Sequence, residues 1–238
     1  MKKLTVAFCC AVLLVLTGCA RAPILKKDEK IQIVEVLVTT HERFVGSANF
    51  PEEVRYVTQN EAYKFSEEGR EKKLHVLLKT MKKADPARAV LTGSGSSVVR
   101  TTATLIDVKT GAPERKFGAR GSIFRLAAEA VHFSIVADEI DYILEEKNLA
   151  KSLADELMTR IYGKEYASTI VDRQPKRSAK PNYPMSWKDA GRKFKCEQIQ
   201  SANEAATPRD KENNSSSTNS GGEPFIVALP DYCGTYLK

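Results

Sequence analysis

Apolar positions run together, alternate, recur at helical spacing and then thin out along this chain, and those changes divide it into parts. The first is an unbroken apolar run from Val6 to Leu16. Ile31-Gln32-Ile33-Val34-Glu35-Val36-Leu37-Val38 is β-branched and roughly alternating, which predicts a strand that is central on its Val34-Val36-Val38 side. Residues 52–83 carry helix formers and charge. Leu74, Leu77, Leu78 and Met81 recur at i, i+3, i+4 and i+7, and Glu68 stands four residues before Lys72. That spacing predicts an amphipathic helix over at least the second half of the stretch, interrupted if anywhere at Gly69 and ended by Ala84-Asp85-Pro86.

Strand patterns follow. Ala89-Val90-Leu91-Thr92 reads as a short strand, Gly93-Ser94-Gly95-Ser96-Ser97 as a flexible turn, and Val98 to Val108 as a longer strand. Asp107-Val108-Lys109-Thr110-Gly111 is a tight turn with Gly111 free to take positive φ, and Arg115 to Phe124 is the returning strand. From Leu126 to Tyr162, apolar residues including Ile140, Leu149, Leu153, Leu157 and Ile161 recur mostly every three to five positions. A helix packed on a sheet is expected there, bent or broken at Asn148 and stopped by Gly163. Beyond it, Asp172 to Pro184 and Ser201 to Glu223 hold too little apolar surface to offset ordering entropy and are expected to be disordered. Two islands remain, Trp187 to Ile199 and Phe225 to Tyr236. The expected fold is α+β, an α/β sandwich over 31–163. A small, mostly antiparallel sheet carries two long helices, and a largely disordered tail with a small module occupies 164–238.

The N-terminus supplies the chemistry. Lys2 and Lys3 precede the apolar run, and Leu16-Thr17-Gly18-Cys19 closes it, which is the order of an export signal. The run is too short to cross a membrane, since about 20 apolar residues are needed. Those last four residues resemble the lipobox of bacterial lipoproteins. The resemblance implies cleavage between Gly18 and Cys19, with residues 1–18 removed as a signal peptide. It also implies a diacylglyceryl thioether on Cys19, to which an acyl chain such as palmitate is added at the new amine. Sulfur is the side-chain nucleophile that forms the thioether, and small residues must precede it to fit a peptidase cleft. An ordinary secretory peptide with an incidental cysteine is the alternative. Two or three acyl chains make release from a bilayer rare, so membrane lipid is the first expected partner. Residues 19–30 then read as a lipidated tether. Ala20, where Asp tends to retain Gram-negative lipoproteins in the inner membrane, implies the outer membrane, periplasm-facing. In another cell type the place is the outer face of the cytoplasmic membrane.

Removing residues 1–18 takes away two lysines and leaves 35 basic against 30 acidic side chains, a balance of +5. That is too small and too dispersed for nucleic acid, and suits anionic envelope material such as peptidoglycan or lipopolysaccharide. Cys9 and Cys10 leave with the signal. In an exported chain the remaining Cys196 and Cys233 are expected to form a disulfide, closing a loop of about 38 residues and restricting the unfolded chain by roughly 3–4 kcal/mol. Reactive or metal-binding thiols are the competing reading, with no histidine near either cysteine.

No catalytic or metal constellation is expected, and no cofactor. His41, His75 and His132 are too far apart for ligand spacing. The Gly93–Ser97 run leads into a strand and matches neither a phosphate loop nor a nucleophile elbow. Asp138, Glu139, Asp141, Glu145 and Glu146 read as the wet side of an amphipathic helix. Arg173, Lys176, Arg177 and Lys180 either touch anionic polymers or form a soluble linker.

The order strand, helix, strand, then the hairpin Thr104-Leu105-Ile106-Asp107-Val108-Lys109-Thr110-Gly111 and a closing helix is similar to the periplasmic domain of curli-secretion-type lipoproteins. It is also similar to envelope lipoproteins with a fold like the N-terminal domain of TolB. The chain has no pair of long amphipathic strands of the kind that line a secretion pore. The expected function is therefore a membrane-anchored, non-enzymatic accessory of envelope assembly, secretion or structure, with other envelope proteins as partners. A glycan or cell-wall binding protein using the basic tail is the second reading, and an envelope enzyme the third.

Overall fold

A computed structural model describes residues 23–26, 29–65, 69–84, 94–126, 139–163, 180–206 and 228–237. The chain folds as an α+β domain with a four-stranded sheet. The elements are β1 (Ile31–Thr40), α1 (Phe50–Ala62), β2 (Arg70–Lys82), β3 (Ser94–Asp107), β4 (Pro113–Leu126), α2 (Glu139–Tyr162) and α3 (Trp187–Ala206), with a 3-10 turn at Asp231–Thr235. Sheet order is β1-β2-β3-β4. β1 and β2 are parallel, and the other two pairings are antiparallel. Parallel neighbours need a crossover, and α1 supplies it.

Two corrections concern the strands. β1 is an edge strand, not a central one; of the expected Val34-Val36-Val38 row, Val36 and Val38 do pack on the core, but a bulge between Ile33 and Glu35 puts Ile31 and Ile33 inward where Val34 was expected. The second half of the helix expected over 52–83 is strand β2, and only Phe50–Ala62 is helical. Lys72, Leu74, Val76 and Leu78 alternate inward, while Leu77 belongs to the other face. Leu74 and Leu78 share a face at either period. Met81 rejoins them because a register shift between Leu78 and Thr80 resets the alternation. Gly69 marks the start of β2, with φ +130°, and a Cβ there would lie 2.5 Å from the Lys30 carbonyl.

The β3–β4 hairpin follows from its turn residues. The Asp107 carboxylate accepts the Lys109 and Thr110 N–H groups at 3.0 and 2.9 Å, and Gly111 takes φ +69°. The run Ser94–Ser97, expected as a turn, lies inside β3. Ala89–Thr92 and Gly93 fall outside the described residues.

α1 and α2 lie side by side on one face of the sheet. Leu74, Val76, Leu78, Val99, Ala103 and Leu105 meet Val54 of α1 and Leu149, Leu153, Leu157 and Ile161 of α2. α2 runs through Asn148 without the expected break, and Gly163 at φ +90° ends it with a hydrogen bond to the Thr159 carbonyl at 2.9 Å. Of the longer helix expected from Leu126, residues 127–138 lie outside the described residues. Gly121 is the point of closest approach between the layers: a Cβ there would stand 2.9 Å from the Leu153 backbone nitrogen and 3.0 Å from the Leu149 carbonyl oxygen.

The tail is more structured than its composition implies. α3 includes Ser201–Ala206, capped at its start by Ser186, whose hydroxyl accepts the Asp189 N–H at 3.1 Å. Once nucleated, a helix propagates through polar residues at little cost, and Gln200 bonds Glu204 one turn on at 2.9 Å. Asn182 donates its backbone N–H to Glu52 at 3.0 Å, Tyr183 bonds Glu53, and Asn49 donates to the Met185 carbonyl at 2.9 Å. This segment, part of the stretch expected to be disordered, therefore lies against the first turn of α1.

Candidate functional site

Three groupings of polar side chains stand out. The first is at the end of the sheet where β2 and β4 begin and β3 ends. Lys72, fully buried, donates to Asp107 and to Glu114, each at 2.6 Å. Around it, Arg70 and Arg115 each hold Glu29 at 2.7 Å, and Arg115 donates to the Ile24 carbonyl. Ile24 and Leu25 add backbone bonds to the Arg160 and Ile161 carbonyls at 2.9 and 3.3 Å, and the Leu25 side chain enters the core. The segment leading into β1 is thus clipped to the rim of the fold. The clip begins inside the tether expected over 19–30.

Charge states follow from these contacts. Burial works against ionisation of Glu29, yet the Lys26 N–H, Arg115 and Arg70 together hold its carboxyl below the usual range. The hydrogen bond from Lys72 does the same for Asp107, reinforced by the Thr110 N–H. For Lys72, burial disfavours the charge, but Asp107 and Glu114 more than offset it and push the ammonium up. Glu29 and Asp107 bind protons less readily folded than unfolded. Their stabilisation is complete above the unfolded carboxylate pKa and is lost as pH falls through the lower folded values; for Lys72, stabilisation is lost only as pH rises through its raised value. The urea midpoint is expected to stay level from about pH 6 to 9 and to fall below about pH 4. Asp107→Asn should make the acid limb shallower in a urea titration repeated across pH.

The second grouping corrects the reading of Glu145 and Glu146 as part of a wet helix face: they are only 1% and 2% exposed. Glu146 accepts the Ser47 N–H at 3.3 Å and the Ser47 hydroxyl, and Lys83 Nζ lies 3.5 Å from it. Glu145 accepts the Ser97 hydroxyl, and Ser97 Oγ in turn accepts the Ala84 N–H at 2.9 Å. Lys83 also sits over the Phe194 ring at 3.8 Å and the Tyr142 ring at 4.8 Å, so it joins α2 to α3. Two carboxylates fit inside the fold because loop and strand serines receive them. Asp138 lies outside the described residues, and Glu139 and Asp141 are in α2.

The third is the face of the sheet opposite α1 and α2. Antiparallel register sets its rows: Lys82 with Val98 and Ser122, Arg100 with Arg120, Thr102 with Gly118, Thr104 with Lys116. Phe124, beyond Ser122 on the same side, is 66% exposed. Glu35 is paired with Lys73 at 2.7 Å on the β1–β2 side, and Thr39 bonds His75 at 2.8 Å. Among the described residues, the β3–β4 half of this face carries no carboxylate. Counting back from the turn would pair Arg100 with Ala119; a register shift between Leu105 and Ile106, which the sequence does not announce, brings Arg120 opposite Arg100 instead.

Other singled-out residues do not converge. His41 accepts the Arg43 N–H at 3.2 Å, well apart in sequence and strand position from His75, and His132 is outside the described residues. Among the described residues, no three His, Cys, Asp or Glu side chains are placed to hold a metal ion, and no helix is long and apolar enough to cross a membrane. Cys196 and Cys233 are joined as a disulfide with Cα atoms 5.4 Å apart, tying α3 to the 3-10 turn. Tyr236 adds a bond to Asp189 at 2.9 Å, and Arg192 lies 5.1 Å from the Tyr232 ring centroid. Lys180 is exposed; Arg173, Lys176, Arg177, Gly18 and Cys19 fall outside the described residues.

The class defined by this geometry is a two-layer α+β domain with one covered and one open sheet face. No protein-family model matches the chain, and no curated protein does. Among solved structures it is similar to a protein described as a lipoprotein from Caulobacter crescentus CB15, with 11% identity over 56% of this chain and 88% of that one and a TM-score of 0.33. It is also similar to a dodecamer of a PelC point variant from Paraburkholderia phytofirmans, with 12% identity over 59% of this chain and 96% of that one and a TM-score of 0.35.

Proposed function

We propose that this chain is an exported lipoprotein, anchored through Cys19, that serves as a non-enzymatic accessory of envelope assembly, secretion or structure. The observation that carries the reading is the clip. Pro23 sits against Gly163, and Ile24, Leu25 and Glu29 are bonded to the rim of the fold, so only the steps from Cys19 to Pro23 separate the anchor from the domain. Four residue steps reach about 14 Å when fully extended. Such a short link suits a protein that works at the membrane surface. Ala20 after the anchor favours the outer membrane, facing the periplasm, in a Gram-negative cell. The buried carboxylates Glu145 and Glu146 are committed to serine and lysine partners inside the fold, which supports a structural and binding role over catalysis by these groups.

Metabolic labelling with an alkynyl palmitate is expected to mark the native chain and to fail on Cys19→Ser. Exchange of residues 1–19 for a cleavable secretory leader is expected to move the protein from the membrane pellet to the soluble envelope fraction. A native chain that takes no label, or a leader-exchanged chain that still pellets with membranes, sinks the anchor. Crosslinking in intact cells that returns only the protein itself would count against an accessory role.

A further inference from the structure

We infer that the open β3–β4 face binds an acidic polysaccharide, resting this on the reading of the chain as an envelope protein. Arg100 and Arg120 are directly opposite each other across the hairpin and exposed. Cross-strand neighbours on one face stand roughly 5 Å apart, and like charges at that place destabilise a sheet unless something negative lies between them. Among the described residues neither arginine is in an ion pair, nor are Lys82 and Lys116, which extend the positive group to either side. Two guanidinium forks at this spacing suit carboxylates carried on a chain.

Shape selects a polymer. Gly118 lies between Lys116 and Arg120 on the open side, and its missing side chain leaves a notch beside Thr102. Packing does not explain the glycine. A Cβ there would meet nothing nearer than the Thr101 carbonyl oxygen at 3.8 Å, and its φ is not in the left-handed region. A glycine in a strand interior often marks a bulge, a bend or a close approach, and the register is regular at Gly118, so close approach by something outside the fold is the reading that fits. A sugar chain crossing the hairpin fits such a notch, with the Thr102 and Thr104 hydroxyls as hydrogen-bonding partners and Phe124 as an exposed ring at the far end. A bilayer surface has no use for it. The arginine pair also stands five residues along β4 from the clip at Arg115, or about 17 Å. That exceeds the screening distance of about 8–10 Å over which bilayer charge acts at ordinary salt.

The test uses the full lipoprotein in neutral detergent, with polygalacturonate as the probe, dextran as the neutral control and phosphatidylglycerol vesicles as the lipid arm. Binding to polygalacturonate that weakens with salt, with none to dextran, is expected. Loss of one charge-assisted contact weakens binding by about tenfold. Arg100→Gln/Arg120→Gln should therefore bind at least tenfold more weakly. Gly118→Val fills the notch without straining the strand, and should weaken binding about tenfold while melting no lower than the native chain. No binding of polygalacturonate by the native chain, or binding that both variants retain, overturns the inference. Binding to vesicles alone, abolished by the arginine variant, overturns it in favour of a membrane-docking face. Each result is read independently of palmitate labelling, so the anchor and the glycan face fail separately.

Discussion

Glu146→Ala is expected to lower the free energy of unfolding by about 3–5 kcal/mol, the usual result of removing one partner of a buried ion pair. The carboxylate is 2% exposed and serves three groups at once: the Ser47 N–H, the Ser47 hydroxyl and the Lys83 ammonium. Alanine leaves the serine donors facing a cavity and strips a charge partner from a lysine held against the Phe194 and Tyr142 rings. Glu146→Gln keeps an acceptor for Ser47, so its loss should be smaller, about 1–3 kcal/mol. Adding Lys83→Met to Glu146→Ala should recover part of the loss, because no buried charge then remains. Urea unfolding at neutral pH of the native chain, Glu146→Ala, Lys83→Met and the double variant closes the cycle. A single Glu146→Ala loss below about 1 kcal/mol would mean that desolvation cancels everything the carboxylate gains.

Gly121→Val carries the second large effect, a loss of about 3 kcal/mol or more from overpacking. Strand propensity alone predicts a gain, since valine favours a pleated surface and glycine weakens it. The sign reverses because the new Cβ would press on the α2 backbone at Leu149 and Leu153, which cannot yield as a flexible side-chain tip would. Gly118→Val is the internal control. It is the same substitution in the same strand three residues away, pointing to the open side. Differential scanning calorimetry of the pair should show Gly121→Val melting far below Gly118→Val; coincident melting would mean that α2 is not seated on β4.

What was legible in the chain depended on how far apart the interacting residues are. The β3–β4 hairpin could be read because Asp107, Thr110 and Gly111 act within five residues of one another. The α2 stripe could be read because its core positions recur within one helix. β2 carries a helical pattern in the sequence because the bulge at Lys79 lets a strand imitate helical spacing at Leu74, Leu78 and Met81. The buried state of Glu145 and Glu146 was hidden because their serine partners lie 48 and 99 residues away, and Ser97 itself looked like part of a turn. The Lys72 cluster has the same cause: Asp107 and Glu114 stand 35 and 42 residues from it, and a lone lysine in a strand pattern gives no hint that it points inward. The open face was not legible, since counting from the turn pairs Arg100 with Ala119 and only the bulge between Leu105 and Ile106 sets Arg120 opposite it.

Ser152 of α2 accepts the Ser122 N–H and donates to the Ser122 carbonyl, each at 3.0 Å, so the helix fills a place on the outer edge of β4 that a fifth strand would take. If the chain is anchored as proposed above, that detail would matter more than it would in dilute solution. Chains confined to a surface meet at a high effective concentration, and a free backbone edge is a template on which identical copies can zip together. One hydroxyl, bonded twice, interrupts that template at Ser122 of β4.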